Sequence, residues 1–226
     1  MTAMVALALV AGLGCERPMP IHHKEIVALA FAPNRIAVIG DSYTTGGDLG
    51  GLGSNGWTTR AWQTLTKQGT PITADVGAEG GAGYGTRGNA GSLFEDLTAA
   101  TVRPDDVLVV FFGSRNDENV NPTQLSILAY GTYQLARRIA PSATFLVIGP
   151  PWPTANPPEG VLRIRDALQY QARVANAVFV DPIAEGWFVG RPNLIGADGV
   201  HPTDAGHEYM AEMIAPLIGS HLPIRL

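Results

Sequence analysis

From residue 35 onward, short runs rich in β-branched residues alternate with longer stretches whose apolar positions recur every three or four residues. Five runs predict strands, at 35–39, 71–76, 106–112, 144–148 and 177–180. Five stretches predict helices, at 57–68, 92–100, 122–139, 162–174 and 203–218. The third helix is the clearest. Leu125, Leu128, Ala129, Leu135 and Ile139 fall on one face, and Pro122 sits in the first turn, where its missing N–H has no intrahelical partner to lose. Strands that are apolar on both faces and alternate with helices predict a parallel sheet covered on each side. Right-handed crossovers then restrict the topology to a doubly wound, three-layer α/β/α sandwich around a five-stranded parallel sheet. No repeat, low-complexity tract or further boundary interrupts this pattern, so 34–226 reads as one domain.

Composition narrows the functional classes. A chain of 226 residues with 46% hydrophobic residues can bury a sizeable core. A net charge of -5 and 15% charged residues give no basic footprint, which argues against nucleic acid as a partner. Gly 27 and Pro 17 put much of the chain in loops, where sites tend to sit. Cys15 is the single cysteine, so an intrachain disulfide and a cysteine-based zinc site are both excluded.

The first 33 residues differ from the rest. The apolar stretch 4–13 is too short to span a bilayer and is followed by small residues, as in a secretory signal. Cys15 after Leu13-Gly14 resembles a bacterial lipobox, in which the cysteine becomes the lipidated N-terminus, although Gly12 stands where that pattern prefers Leu. Residues 1–33 are therefore expected to be an export signal and spacer. They place the protein in the secreted or envelope compartment, with any membrane attachment through the N-terminus only.

In a doubly wound sheet, functional residues collect beyond the carboxyl ends of the strands. Four segments pass that filter. Gly40-Asp41-Ser42 follows the first strand and would present the Ser42 hydroxyl at the sheet edge, although Gly, Asp and Ser are also ordinary turn residues. The glycine stretch 77–85 follows the second and offers backbone N–H groups to a ligand. Within it Gly83, Gly85 and Gly88 spell G-x-G-x-x-G, but the glycines begin too far ahead of the next helix for a dinucleotide fingerprint. After the third strand, Asn116 carries an amide that can donate to an oxyanion, or can simply cap a turn. Asp198 stands three residues before His201 and can orient its imidazole if the loop bends. A metal pair is the rival reading there, but no third ligand stands out. His207 and His221 read as surface positions. A nucleophile, a base with its orienter, and two kinds of oxyanion donor make the inventory of acyl transfer.

These four blocks resemble the SGNH, or GDSL-type, hydrolase family over a stretch running from about residue 35 to the C-terminus. Gly40-Asp41-Ser42 with Gly46 is similar to the family's first block, with Tyr43 in place of the usual Leu. Gly80 and Gly81 stand in tandem at the second; spacing from Asp75 favours Gly80, while the following Ala-Gly-Tyr favours Gly81 slightly more. The third block, Gly-x-Asn-Asp in the family, is stretched here, since two residues separate Gly113 from Asn116. Asp198 and His201 match the fourth. The resemblance implies a flavodoxin-like SGNH-hydrolase fold and a serine esterase with Ser42 as nucleophile, His201 as base and Asp198 as its orienter. The oxyanion would be held by the N–H groups of Ser42 and Gly81 or Gly80 and by Asn116, with no metal or organic cofactor. The Gly-x-Ser-x-Gly elbow of α/β-hydrolases is absent, because Thr44 occupies the second glycine's place.

Substrate choice is less legible. The expected substrates are small-molecule, lipid-like or carbohydrate-borne acyl esters, the alternatives on the same serine being a carbohydrate O-acetyl esterase or an acyltransferase. The glycine-rich 48–57 reads as a mobile loop. Tyr43 and Trp57 are candidate substrate contacts, and Trp152 and Trp187-Phe188 are further aromatics near the rim. A non-catalytic carbohydrate- or lipid-binding module is the reading from another class, disfavoured because it has no need of Ser42, Asp198 and His201 together.

Overall fold

In the computed structural model, which describes residues 33–223, five parallel strands form one sheet in the order β2-β1-β3-β4-β5. The apolar segment 4–13 and Cys15, with the expectations of export and lipidation, lie outside the described residues. The strands are β1 (Asn34–Gly40), β2 (Ile72–Ala78), β3 (Leu108–Phe112), β4 (Thr144–Ile148) and β5 (Val178–Val180). The helices are α1 (Ser42–Thr45), α2 (Trp57–Lys67), α3 (Phe94–Thr101), α4 (Pro122–Ile139), α5 (Glu159–Val174) and α6 (Asp204–His221). Short 3₁₀ turns lie at Gly53–Asn55, Arg115–Asn119 and Pro192–Leu194.

Strand periodicity divides the interior into two cores. Ile36 and Val38 of β1 and Leu108, Val110 and Phe112 of β3 face α2 and α6, meeting Ala61, Leu65, Met210, Ile214 and Ile218. Ala37, Ile39, Val109 and Phe111 face the other way, against α3, α4 and α5 through Phe94, Ala129, Tyr133, Ile164 and Leu168. Each fully buried aliphatic side chain stabilises the fold by roughly 1.5–3 kcal/mol. Local chemistry sets the helix starts. Asn121 caps α4 by accepting the N–H groups of Thr123 and Gln124, and Thr203 caps α6 through Gly206.

Register positions the site. Gly40 is paired with both Ala78 and Phe112, Phe112 with Ile148, and Ile148 with Val180. The carboxyl ends of all five strands thus finish level along one rim. The chain passes from β1 to β2 on one side and then to β3 on the other, so the topological switch lies at the end of β1.

Several expectations need correction. β2 extends through Gly77 and Ala78, which had read as the start of the glycine loop. Pairing with β1 draws them in, and a Cβ on Gly77 would collide with Thr101 of α3. Tyr43 and Trp57 are 1% and 0% exposed and belong to the core beneath α2 and α6, so neither is a substrate contact in this structure. Hydrophobic burial took the two aromatics inward because each begins a helix that packs on the sheet. Trp187 and Phe188 are buried in the same core. His207 is buried as well, on the inward face of α6.

Candidate active site

Ser42 follows β1 by two residues and opens α1, whose N-cap Asp41 accepts the Tyr43 N–H at 2.9 Å. The turn therefore carries the hydroxyl to the rim at the switch point. His201 arrives from the segment ahead of α6, and its Nε2 lies 3.1 Å from Ser42 Oγ. Its Nδ1 lies 2.6 Å from Asp198 Oδ2. Because a carboxylate only accepts, Nδ1 carries the proton and Nε2 is free to accept one from Ser42.

Asp198 owes its position to its own loop. Its Oδ1 accepts the N–H groups of Val200 and His201 at 2.9 and 3.0 Å, which bends the chain so that the imidazole returns over the carboxylate. The hydrogen bond with His201, aided by those two N–H groups, pulls the Asp198 carboxyl down to about 2. Tyr43, although not a pocket wall, holds the loop from below. Its hydroxyl donates to Val200 O at 2.5 Å, and its ring lies 6.4 Å from that of His201.

The other blocks meet the same rim. The backbone N–H groups of Ser42, Gly80 and Gly81 have no hydrogen-bond partner among the described residues. Gly80, with Ser42, His201, Leu49 and Asn89, lines an open cavity of about 610 Å³; Gly81 does not. Asn116 lies in the 3₁₀ turn after β3, where its amide donates to Ala82 O at 2.8 Å and to Asp41 Oδ2 at a longer 3.4 Å. Ser114 is one of the two residues between Gly113 and Asn116 in this stretched block. Its hydroxyl donates to Ala82 O and accepts the Asn116 N–H, so the longer turn still closes on the glycine segment.

Asp117 is a structural contributor that the sequence reading passed over. Its buried carboxyl accepts the N–H groups of Tyr84, Gly85 and Thr86 at 2.8, 2.9 and 2.9 Å. The G-x-G-x-x-G stretch is thus folded around an internal carboxyl group, and burial pushes that group above the usual carboxylate range. Glu79 plays a similar part for 88–92, accepting from Ala90 and Ser92. The adjacency of Asp117 to Asn116 was the available signal.

A parallel α/β sandwich with a serine, an imidazole and a carboxylate in line at its switch point defines a hydrolase of the esterase kind. The GDSL-like lipase/acylhydrolase family model matches residues 38–209, and the chain belongs to that family. It is 58% identical over 224 residues to GDSL lipase Rv0518 of Mycobacterium tuberculosis, covering 98% of this chain and 97% of that one. Among solved structures it is similar to TesA, with a TM-score of 0.66 and 23% identity over 84% of this chain and 100% of that one. A family two carbohydrate esterase from Clostridium thermocellum, solved with cellohexaose, gives a TM-score of 0.65 and 19% identity over 84% of this chain and 65% of that one. The protein is an ester-cleaving enzyme with the fold of the SGNH hydrolases.

Proposed function

We propose that the protein is a serine esterase that hydrolyses carboxylic acyl esters through an acyl-enzyme on Ser42. The observation that carries this reading is the position of one imidazole, 3.1 Å from the Ser42 hydroxyl and 2.6 Å from Asp198. His201 Nε2 takes the hydroxyl proton as Ser42 Oγ attacks the ester carbonyl, and the imidazolium that forms is held by Asp198. The oxyanion accepts from the N–H of Ser42 and from Gly80 or Gly81. The cavity lining supports Gly80, which reverses the order suggested by the sequence. Asn116 joins by releasing its weaker, 3.4 Å contact with Asp41. The carbonyl–oxygen bond to the alcohol then breaks, with the proton passing from His201 to the leaving oxygen. Water activated by the same imidazole attacks the acyl-enzyme, releases the acid and restores Ser42.

Turnover of nitrophenyl esters by the purified protein, with and without Ser42→Ala, tests the reading. The variant should lose at least about 10⁴ in kcat, in the range seen when a triad nucleophile is removed, while its circular dichroism stays unchanged. Comparable turnover in the two proteins rejects Ser42 as nucleophile. A carbohydrate-borne acyl group is the second reading, supported by the likeness to the carbohydrate esterase fold. Release of acetate from acetylated oligosaccharides measures it. Export remains a proposal resting on the apolar segment 4–13; labelled palmitate on the wild type, lost in Cys15→Ala, would support lipidation.

A further inference from the structure

The glycine-rich loop 46–56 forms one wall of the cavity beside Ser42, where Gly46, Gly47, Leu49 and Gly50 line it. Its composition suggests nothing to hold it, yet it is fastened from across the chain. Asp204, the first residue of α6, accepts the Gly51 N–H on Oδ1 at 2.8 Å and the Asn55 side-chain amide on Oδ2 at 2.9 Å. The Gly50 backbone runs so close to Thr203 and Asp204 that a Cβ there would collide with both. Gly51, at φ +83°, abuts the ring of His207, again with no room for a side chain. His207 is a firm seat. It is fully buried, its Nδ1 accepts the Trp57 N–H at 3.4 Å, and burial holds its pKa down at about 4, so the ring under the loop is neutral.

At the loop's tip Leu49 remains 40% exposed, the one large apolar side chain among the cavity's loop residues. It leans on Gly196, whose missing Cβ would stand 2.9 Å from Leu49 Cδ1. Gly196 in turn donates its N–H to His201 O at 2.8 Å. The tip is therefore braced against the same segment that carries the proposed base.

We infer that Leu49 sets the acyl-length preference of the enzyme and that Asp204 is the positioning residue that latches it there through loop 46–56. The inference rests on the esterase reading and names what selects the acyl group. Hydrogen bonds to a carboxylate are about twice as strong as neutral ones, and the five glycines of 46–53, four of them at positive φ, would otherwise leave many backbone states open. With the latch closed, Leu49 narrows the cavity and shorter acyl groups are preferred.

The test is kcat and KM for nitrophenyl acetate, butyrate and octanoate in wild type, Leu49→Ala, Asp204→Ala and Asp204→Asn, with melting curves for each. Both alanine variants should raise the octanoate-to-butyrate ratio of kcat/KM by about five- to tenfold, the scale of a few methylene contacts in an apolar pocket. The change should lie in KM. Asp204→Asn keeps one acceptor oxygen and should fall between. An unchanged ratio in Asp204→Ala, or a lower kcat at an unchanged ratio, overturns the latch. If Asp204→Ala melts too early to assay, Asn55→Ala removes only the outer bond and should move the ratio about twofold in the same direction; no movement overturns the latch equally. Wild-type protein that turns over none of the three esters refutes the esterase reading itself, and this inference with it.

Discussion

Two carboxyl groups lie close to Ser42, and their surroundings treat them in opposite ways. Asp198 is exposed, bonded to His201 and two backbone N–H groups, and held ionised down to about pH 2. Asp41 is 1% exposed, and burial pushes its pKa up to about 7, with Asp117 adding to the rise. The Tyr43 N–H, His201 and Arg115 pull the other way without cancelling it. The contrast shows how two residues of one type can divide their work around the proposed nucleophile. The fixed negative charge stands beside the His201 imidazole, where the proposed reaction forms an imidazolium. Beneath lies a carboxyl that burial makes reluctant to ionise, where a full second anion would oppose the oxyanion of the proposed reaction.

The contrast can be broken at three points. Asp198→Asn should cost most, about 10⁴ in kcat, because an amide at that place favours the wrong imidazole tautomer. Its melting temperature should barely move, since the group is at the surface. A fall of less than about 100-fold would mean that Asp198 does not orient the base. Next, Asn116→Ala should lower kcat by about 10²–10³ with KM little changed, the usual effect of removing one oxyanion donor. Equal loss in KM and none in kcat would make it a substrate contact instead.

Asp41→Asn should matter least for turnover, less than about tenfold, because the neutral amide oxygen still accepts the Tyr43 N–H. Its mark should appear in stability. The folded Asp41 carboxyl resists ionising until about pH 7, whereas the unfolded one ionises near 3.8. Wild type therefore binds more protons folded than unfolded in that window, and the Asp41 contribution falls as pH rises from 4 to 7. The variant has no such slope. Its stability relative to wild type should climb by about 2–4 kcal/mol between pH 4 and 8, read from urea unfolding at each pH. A flat difference would show Asp41 to be ionised throughout.

Much of the architecture was legible in the hydrophobic pattern. Five strands and the five longer helices came from periodicity, because packing on a sheet demands apolar faces at fixed spacing. The order of blocks after β1, β2 and β3 and ahead of α6 was legible too, since a parallel sheet sends every strand end to one rim. The errors share a cause. Tyr43, Trp57 and His207 were judged by side-chain type, but a helix start on this sheet points such rings inward. The stretch 48–57 reads as mobile because glycine says nothing of a partner about 150 positions away, and Asp204 looks like any acidic first-turn residue.

Residue order alone thus determined the sandwich, the rim and the identity of Ser42, Asp198, His201 and Asn116 as candidates. It did so because periodicity and turn chemistry are local properties that survive without coordinates. Only the folded chain decided the rest: which glycine faces the cavity, which carboxyl resists ionising, which aromatics are core, and what holds Leu49 in place. Those depend on distances and solvent exclusion among segments far apart in the chain, and burial has no value until the chain has closed around the group.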